Sequence, residues 1–203
     1  MIYFYGASGH AKVIIELAEL LYLPIGGLVD KNPDLRELMG YPVSIKGPAM
    51  NRKENSFIIS IGNNQVRKRI AQSLEVNFTT LIHPHNNISK RASIGEGTVV
   101  MAGVSVNSSS EIGEHVILNT NCSVDHDCVI EDFVHISPNA ALAGGVKIGE
   151  GSHVGIGASI IQGIKIGKWC TIGAGSVIIK DVPDYATVVG NPGIIIKYSA
   201  IKS

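Results

Sequence analysis

Residues 119–137 read NTNCSVDHDCVIEDFVHIS, and Leu118, Val124, Ile130 and Ile136 recur through that stretch at intervals of six. A period of six is neither the 3.6 of a helix nor the 2 of a strand, so these positions belong to a frame larger than one element. Outward from this stretch the series starts at Ile82 and runs Ile88, Ile94, Val100, Val106, Ile112, Leu118, Val124, Ile130, Ile136, Leu142, Ile148, Val154, Ile160, Ile166, Ile172 and Ile178. Four residues after each member from Ile88 on stands a small or β-branched residue, from Ala92 and Thr98 through Cys122, Cys128 and Cys170 to Ser176 and Val182.

An unbroken repeat of this length is the signature of a stacked architecture. A large aliphatic and a small residue every six positions describe a parallel β-solenoid with one short strand and one turn per hexapeptide. Three hexapeptides close a triangular coil of 18 residues. The aliphatics then point inward in columns, the small residues fill the corners, and successive coils lie ~4.8 Å apart. Gly95, Gly113, Gly149, Gly155, Gly167 and Gly173 directly follow aliphatics and are expected to serve the tight turns. All three cysteines fall in the small-residue series, so they read as buried core thiols rather than nucleophiles or ligands.

Residues 1–81 have another rhythm. IYFY (2–5) is a short apolar strand, GASGH (6–10) a glycine turn, and 10–21 an amphipathic helix with Val13, Ile14, Leu17, Leu20 and Leu21 on one face. IGGLVD (25–30) and SFIISIG (56–62) read as further strands, the latter followed by a helix carrying Val66, Ile70 and Leu74. Strand–helix alternation implies a small Rossmann-like α/β unit. Gly6 and Gly9, between a strand and a helix, suit close approach of a phosphate to a helix N-terminus, although a tight turn alone would also use them. Position 4 is Phe where a dinucleotide fingerprint needs glycine, so a mononucleotide or nucleotide-diphosphate ligand is expected rather than NAD. Asp30 stands where an acid could meet a ribose or a base edge. Arg67, Lys68 and Arg69 read as a solvated helix face, with phosphate contact as the alternative. The chain therefore divides into an α/β domain over 1–81, a solenoid over 82–183 and a C-terminal tail over 184–203.

Composition narrows the partners. The 203 residues hold 17 Lys plus Arg against 17 Asp plus Glu, which predicts no broad attraction to nucleic acid or anionic membrane. No apolar run approaches the ~18 residues of a membrane span, and MIYFYGASGH lacks the features of a secretion signal. A cytoplasmic protein is the simplest expectation.

Coil arithmetic locates the chemistry. His126 plus 18 is Gly144, a bare position one coil above, whose main-chain N–H could donate to an oxyanion forming beside the imidazole. A neutral imidazole can accept a proton near neutral pH, and Asp127 can orient it only if the turn bends there. The bland reading of His126 is a surface histidine; Asn119, Asp125 and Asp127 nearby argue against it. His135 plus 18 is His153, so those rings stack. His126 and His135 differ by half a coil and could meet only if solenoids pack side by side, as in a threefold trimer. His83 and His85 read as structural.

YGASGH, LVD, IGNN, VDHDCVIEDFVHIS, AGGVKIG and VVGNP together resemble the bacterial sialic-acid O-acetyltransferase-like family, which includes N-acetyltransferases acting on UDP-4-amino sugars and GDP-perosamine. The resemblance implies a left-handed parallel β-helix, a homotrimer, acetyl-CoA as co-substrate with no metal, and a nucleotide-sugar substrate. It implies His126 as catalytic base, Asp127 as its orienting acid and Gly144 as the oxyanion donor. It puts His135, with His153 stacked on it, Gly144 and Lys197 on the acetyl-CoA side. It puts Gly6, Ser8, Gly9, His10, Asp30, Gly62, Asn63 and Asn119 around the nucleotide sugar. Pro192-Gly193-Ile194 departs from the family's usual close. O-acetylation of a sialic acid or another sugar, and a zinc hydratase of the gamma carbonic anhydrase type, stay open as alternatives at this point.

Overall fold

A computed structural model describes residues 1–46 and 55–199. The N-terminal unit contains β1 (Ile2–Tyr5), α1 (Gly9–Leu20), β2 (Ile25–Val29), β3 (Glu37–Leu38), β4 (Tyr41–Ser44), β5 (Ser56–Ile59), α2 (Asn64–Ser73) and β6 (Asn77–Phe78). The sheet order is β3-β4-β2-β1-β5-β6, parallel except for the β3–β4 pair. β1 is central and covered on both faces, which is why IYFY carries no polar alternation. The buried stripe of α1 differs from the expected one. Ala11, Ile14, Ile15, Leu17 and Ala18 are buried, whereas Val13 and Leu20 are 44% and 45% exposed. The helix is wedged between its own sheet and the solenoid, so it buries a broad 11/14/15/18 face with small residues where two layers close in.

From Leu81 onward the chain winds as a three-sided parallel solenoid. Each two-residue strand pairs with the strand 18 residues on, as in Val124 with Leu142, Ile130 with Ile148 and His135 with His153. The first face carries Leu81–Ile82, Ile117–Leu118 and His135–Ile136, the second Ser123–Val124 and Ala141–Leu142, and the third Val129–Ile130 and Lys147–Ile148. From Val100 to Ile178 every member of the aliphatic series is no more than 4% exposed. Ile82, at the open end, is 36% exposed because no coil lies beneath it. Polar members of the small series are buried without loss of bonding. The hydroxyls of Thr98, Ser110 and Ser152 each donate to a carbonyl 15 residues on and accept a main-chain N–H 18 residues on. They thereby tie adjacent coils together. The cysteines are fully buried, and burial pushes the Cys122 thiol up to about 12. Ala186–Val189 extends the first face, and Ile194–Tyr198 folds back on it antiparallel.

The glycines after the aliphatics do a different job from the one expected. The left-handed backbone occurs two residues later, at Gly97, Gly103, His115, Asn121, Asp127, Phe133, Asn139 and Gly145 among others. Gly95 and Gly149 instead face the next coil at close range: a Cβ on either would lie 2.6 Å from the main chain of Gly113 or Gly167. Close coil approach, not a positive φ, requires glycine there.

Removing side-chain volume from the columns should be costly in proportion to depth. Ile136→Ala, at a fully buried position, is expected to destabilise the protein by ~2–5 kcal/mol, and Ile82→Ala by clearly less. Urea denaturation of both variants checks this, and equal losses would contradict the column architecture.

The N-terminal unit docks on the first face, where Leu81, Val99 and Met101 share a core with Ile14 and Leu17 of α1. α2 docks on the corner between the third and first faces. Here the solvated-face reading of Arg67 and Lys68 fails. Arg67 is 1% exposed and bonds main-chain carbonyls on both sides of the junction. Lys68 pairs with Glu150 and sits over the rings of Phe133 and Trp169, the latter lying against the bare Gly151. The periodicity of α2 puts both residues on the side that a second domain covers, which local pattern cannot reveal.

Candidate active site

His126 lies on the corner between the second and third faces, and Asp127 follows in the left-handed region at φ 57°. That conformation, which aspartate tolerates better than most residues, turns its carboxylate back onto the neighbouring ring. Asp127 Oδ2 lies 2.7 Å from His126 Nδ1. A carboxylate only accepts, so the proton sits on Nδ1 and the lone pair on Nε2. Asp125 accepts from Asn107 Nδ2 at 2.7 Å and from the His126 N–H at 2.8 Å, fixing the base of the side chain. The bond to Asp127 and the charge of Asp125 hold the imidazole above its ordinary 6.5. Both His126 and Asp127 are open to solvent.

Gly144 sits against the ring. A Cβ there would lie 2.6 Å from both Cε1 and Nε2 of His126. The N–H groups of Ala143 and Gly145 are engaged by Ile160 and His126 carbonyls, while that of Gly144 is not among the bonded donors of the coil ladder. A base nitrogen therefore faces a position with an available main-chain donor. This arrangement can accept a proton from a nucleophile and stabilise a tetrahedral oxyanion. Further up the same corner the 18-residue register brings Gln162 and Lys180, flanked by the exposed Ile161 and Ile179.

A separate constellation forms in the N-terminal unit. A cavity of about 640 Å³ is lined by Tyr5, Gly6, Asp30, Ile61, Arg69 and Ile70. Gly6 has φ 106°, and a Cβ would meet Ile61 at 2.4 Å, so its need for glycine is internal. Gly9 and Gly62, by contrast, face open space. Ser8 caps α1 without a side-chain bond, leaving its hydroxyl unused at a helix N-terminus. Asp30 ties the loop together, accepting from the N–H groups of Ala7 at 2.8 Å and Asn32 at 2.9 Å. Asn63 caps α2 through the N–H of Val66 at 3.0 Å.

His10, Asn119, His135 and His153 gather on the first face at the domain junction. His135 stacks on His153 at 4.8 Å and faces His10 at 6.3 Å. His10 Nε2 is buried without a partner. Burial and the nearby Arg67 lower His10 to about 4; burial, then His153 and Arg67, lower His135 to about 3. Asn119 Nδ2 lies 3.1 Å from His135 Nε2, so Asn119 belongs to this group and not to the corner of His126, where the sequence reading had set it. His126 and His135 occupy different sides of the solenoid. His83 and His85 contact each other, with the His85 N–H donating to His83 Nδ1 at 3.1 Å. Lys197 is exposed on the closing strand, opposite Thr187. Arg69, for which phosphate contact was the alternative to a solvated face, is exposed and lines the cavity, and Lys180 was not singled out. Register arithmetic from His126 could have found Lys180; the wall position of Arg69 depends on how α2 packs.

Residues 1–74 match the profile described as PglD N-terminal domain, and residues 145–180 match bacterial transferase hexapeptide (six repeats). A point mutant of perosamine N-acetyltransferase from Caulobacter crescentus, in complex with CoA and GDP-perosamine, superposes with a TM-score of 0.93 at 34% identity, over 97% of this chain and 96% of that one. The acetyltransferase domain of PglB from Neisseria gonorrhoeae, in complex with acetyl coenzyme A, gives 0.89 at 39% identity over 96% and 98%. A segment of 49 residues is 55% identical to UDP-N-acetylbacillosamine N-acetyltransferase of Bacillus subtilis and spans 23% of either chain.

Proposed function

This chain belongs to the family of hexapeptide-repeat acetyltransferases that N-acetylate amino sugars carried on nucleotides, and we propose that it transfers an acetyl group from acetyl-CoA to the amino group of such a sugar. The observation that carries the chemistry is His126 Nε2 held against the bare Gly144 by the Asp127 bond to Nδ1.

In this reading the nucleotide occupies the cavity beside Asp30, with Arg69 meeting phosphate and the N-terminus of α1 favouring negative charge. The sugar extends toward His10 and Asn119; because His135 bonds Asn119 and stacks on His153, this reading assigns those two histidines to the sugar side and not to the acetyl-CoA side that the resemblance implied. Acetyl-CoA runs up the corner from Gly144 past Ile161 and Gln162, with Lys180 available to a phosphate; Lys197 can supply a second charge only from a different face. The sugar side and the base lie on different faces of one solenoid. Two chains of a trimer complete each site by setting the first-face side of one against His126 of its neighbour. The amine attacks the thioester carbonyl, His126 Nε2 takes its proton, and the Gly144 N–H stabilises the oxyanion until the CoA thiolate leaves. The reading places the enzyme in the cytoplasm, which supplies acetyl-CoA and keeps Cys122, Cys128 and Cys170 reduced. Among the described residues no helix is long and apolar enough to cross a membrane.

Thiol release measured against UDP-, GDP- and dTDP-amino sugars, with free sialic acid as a hydroxyl acceptor, tests the assignment. Turnover with an amino sugar nucleotide is expected; release with sialic acid alone would overturn N-acetylation. The pH profile follows from the sign of the His126 shift. The base works only when neutral, so kcat/KM should rise with pH and level off above an inflection higher than 6.5. Asp127→Asn removes the largest cause of that elevation, so its inflection should fall below the wild-type one, with a plateau lower by about 10²-fold. An unchanged inflection would remove His126 from the rate-limiting protonation.

A further inference from the structure

Arg67 is an unusual investment for a helix on a small domain. Its guanidinium reaches His115 O at 2.8 Å, Ile61 O at 3.1 Å, Gly62 O at 3.3 Å, Phe133 O at 2.7 Å, Val134 O at 3.4 Å and Asn64 Oδ1 at 2.9 Å. Every acceptor is uncharged, and among the described residues no carboxylate pairs with it. Burial lowers this side chain to about 9. A buried charge without a counter-charge is costly, and apolar packing could hold two domains together without it. Its acceptors show what the charge is used for. Two belong to the Ile61–Gly62 loop, and three to solenoid corners beneath that loop.

The neighbouring hydrogen bonds are directional. Asn119 Oδ1 accepts from the N–H of Thr120 at 2.8 Å, so its amide NH₂ must be the group facing His135 Nε2. Nε2 therefore accepts, and the proton lies on Nδ1. Protonating Nε2 would set two donors against each other. The Gly62 carbonyl is held by Arg67 at 3.3 Å, and the same residue's main chain acts weakly on the His135 ring.

We infer that Arg67 is a positioning residue of the nucleotide-sugar half of the site: its fork locks the Ile61–Gly62 loop onto the solenoid, beside the His10–His135–His153 row in which the His135 proton sits on Nδ1. Burial is the main reason that row stays neutral, and the Arg67 charge adds to it. The groups facing that row are His10 from α1, Arg67 from α2, and Asn119, Ser137 and His153 from the coils. Lys68 is matched by Glu150, and Asp132 stands nearer His115. The inference rests on the nucleotide-sugar reading for its kinetic consequence but not for its protonation state, so the two can fail separately.

Nitrogen-15 NMR of histidine-labelled wild-type protein should show His135 as the Nδ1–H tautomer, with His10 and His135 untitrated from pH 8 to 5. A His135 proton on Nε2 would overturn the inference without any variant. Arg67→Lys keeps the charge but loses the fork. It should raise KM for the nucleotide sugar on the order of 10–100-fold, leave KM for acetyl-CoA in place and keep the row neutral. Arg67→Gln should do the same to KM and also move imidazole titration upward. Folded Arg67→Gln protein with lowered Tm but wild-type nucleotide-sugar KM and wild-type imidazole titration would reduce Arg67 to a structural clamp.

Discussion

Replacing His126 by alanine is expected to lower kcat by ~10²–10⁴ while leaving the fold and the nucleotide-sugar affinity unchanged. The imidazole is largely exposed, and its own hydrogen bond joins two exposed partners, so little stability depends on it. What it contributes is a lone pair on Nε2 beside Gly144, held in one tautomer by Asp127. Steady-state kinetics on folded variant protein, with calorimetric binding of the nucleotide sugar, separate the two effects. Near-normal turnover would remove His126 as the base. His135→Ala serves as contrast: its Nε2 already accepts from Asn119, so its effect should fall mainly on nucleotide-sugar KM.

The second large effect belongs to the smallest side chain. Gly144→Ala adds one methyl group to a residue with an ordinary backbone conformation, so the coil itself should tolerate it. The added Cβ would nevertheless stand 2.6 Å from Nε2 and Cε1 of His126. The ring must swing away, which breaks its alignment with Asp127 and closes the gap a thioester carbonyl needs. A loss on the order of 10²–10³ in kcat with unchanged melting temperature is expected, comparable to removing one oxyanion donor. A variant within about threefold of wild type would show that the ring and this amide do not act together. Gly157→Ala makes a poor control because its φ of 64° would add strain; Ala143→Ser, on the same corner, is a better one.

Much of this was legible before any coordinates. The six-residue series predicted the columns, the 18-residue coil, the burial of three thiols and the pairing of His126 with Gly144, because a solenoid converts spacing along the chain directly into height and face. The motif resemblance pointed to the acetyl transfer that the relatives perform. Legibility failed where neighbours come from outside the repeat. The buried face of α1 was misjudged at Val13 and Leu20, and Arg67 was read as solvated. Asn119 was set beside His126 although it bonds His135. The turn glycines were assigned the wrong task, since the contact that demands them is with a coil 18 residues away.

The sequence by itself determined the frame: an aliphatic every sixth residue leaves the chain only one way to bury its apolar groups. It also determined which residue stands one coil above another, since in this fold that is simple addition. Only the tertiary structure decided how the α/β unit seats on that frame, because docking depends on three-dimensional surfaces that no local period encodes. That seating buries the Arg67 guanidinium among carbonyls and leaves Arg69, two residues on, in the wall of the neighbouring cavity. The orientation of Asp127 was likewise a matter of backbone conformation: a left-handed φ turns its carboxylate onto the preceding ring, where an extended strand would have pointed it away.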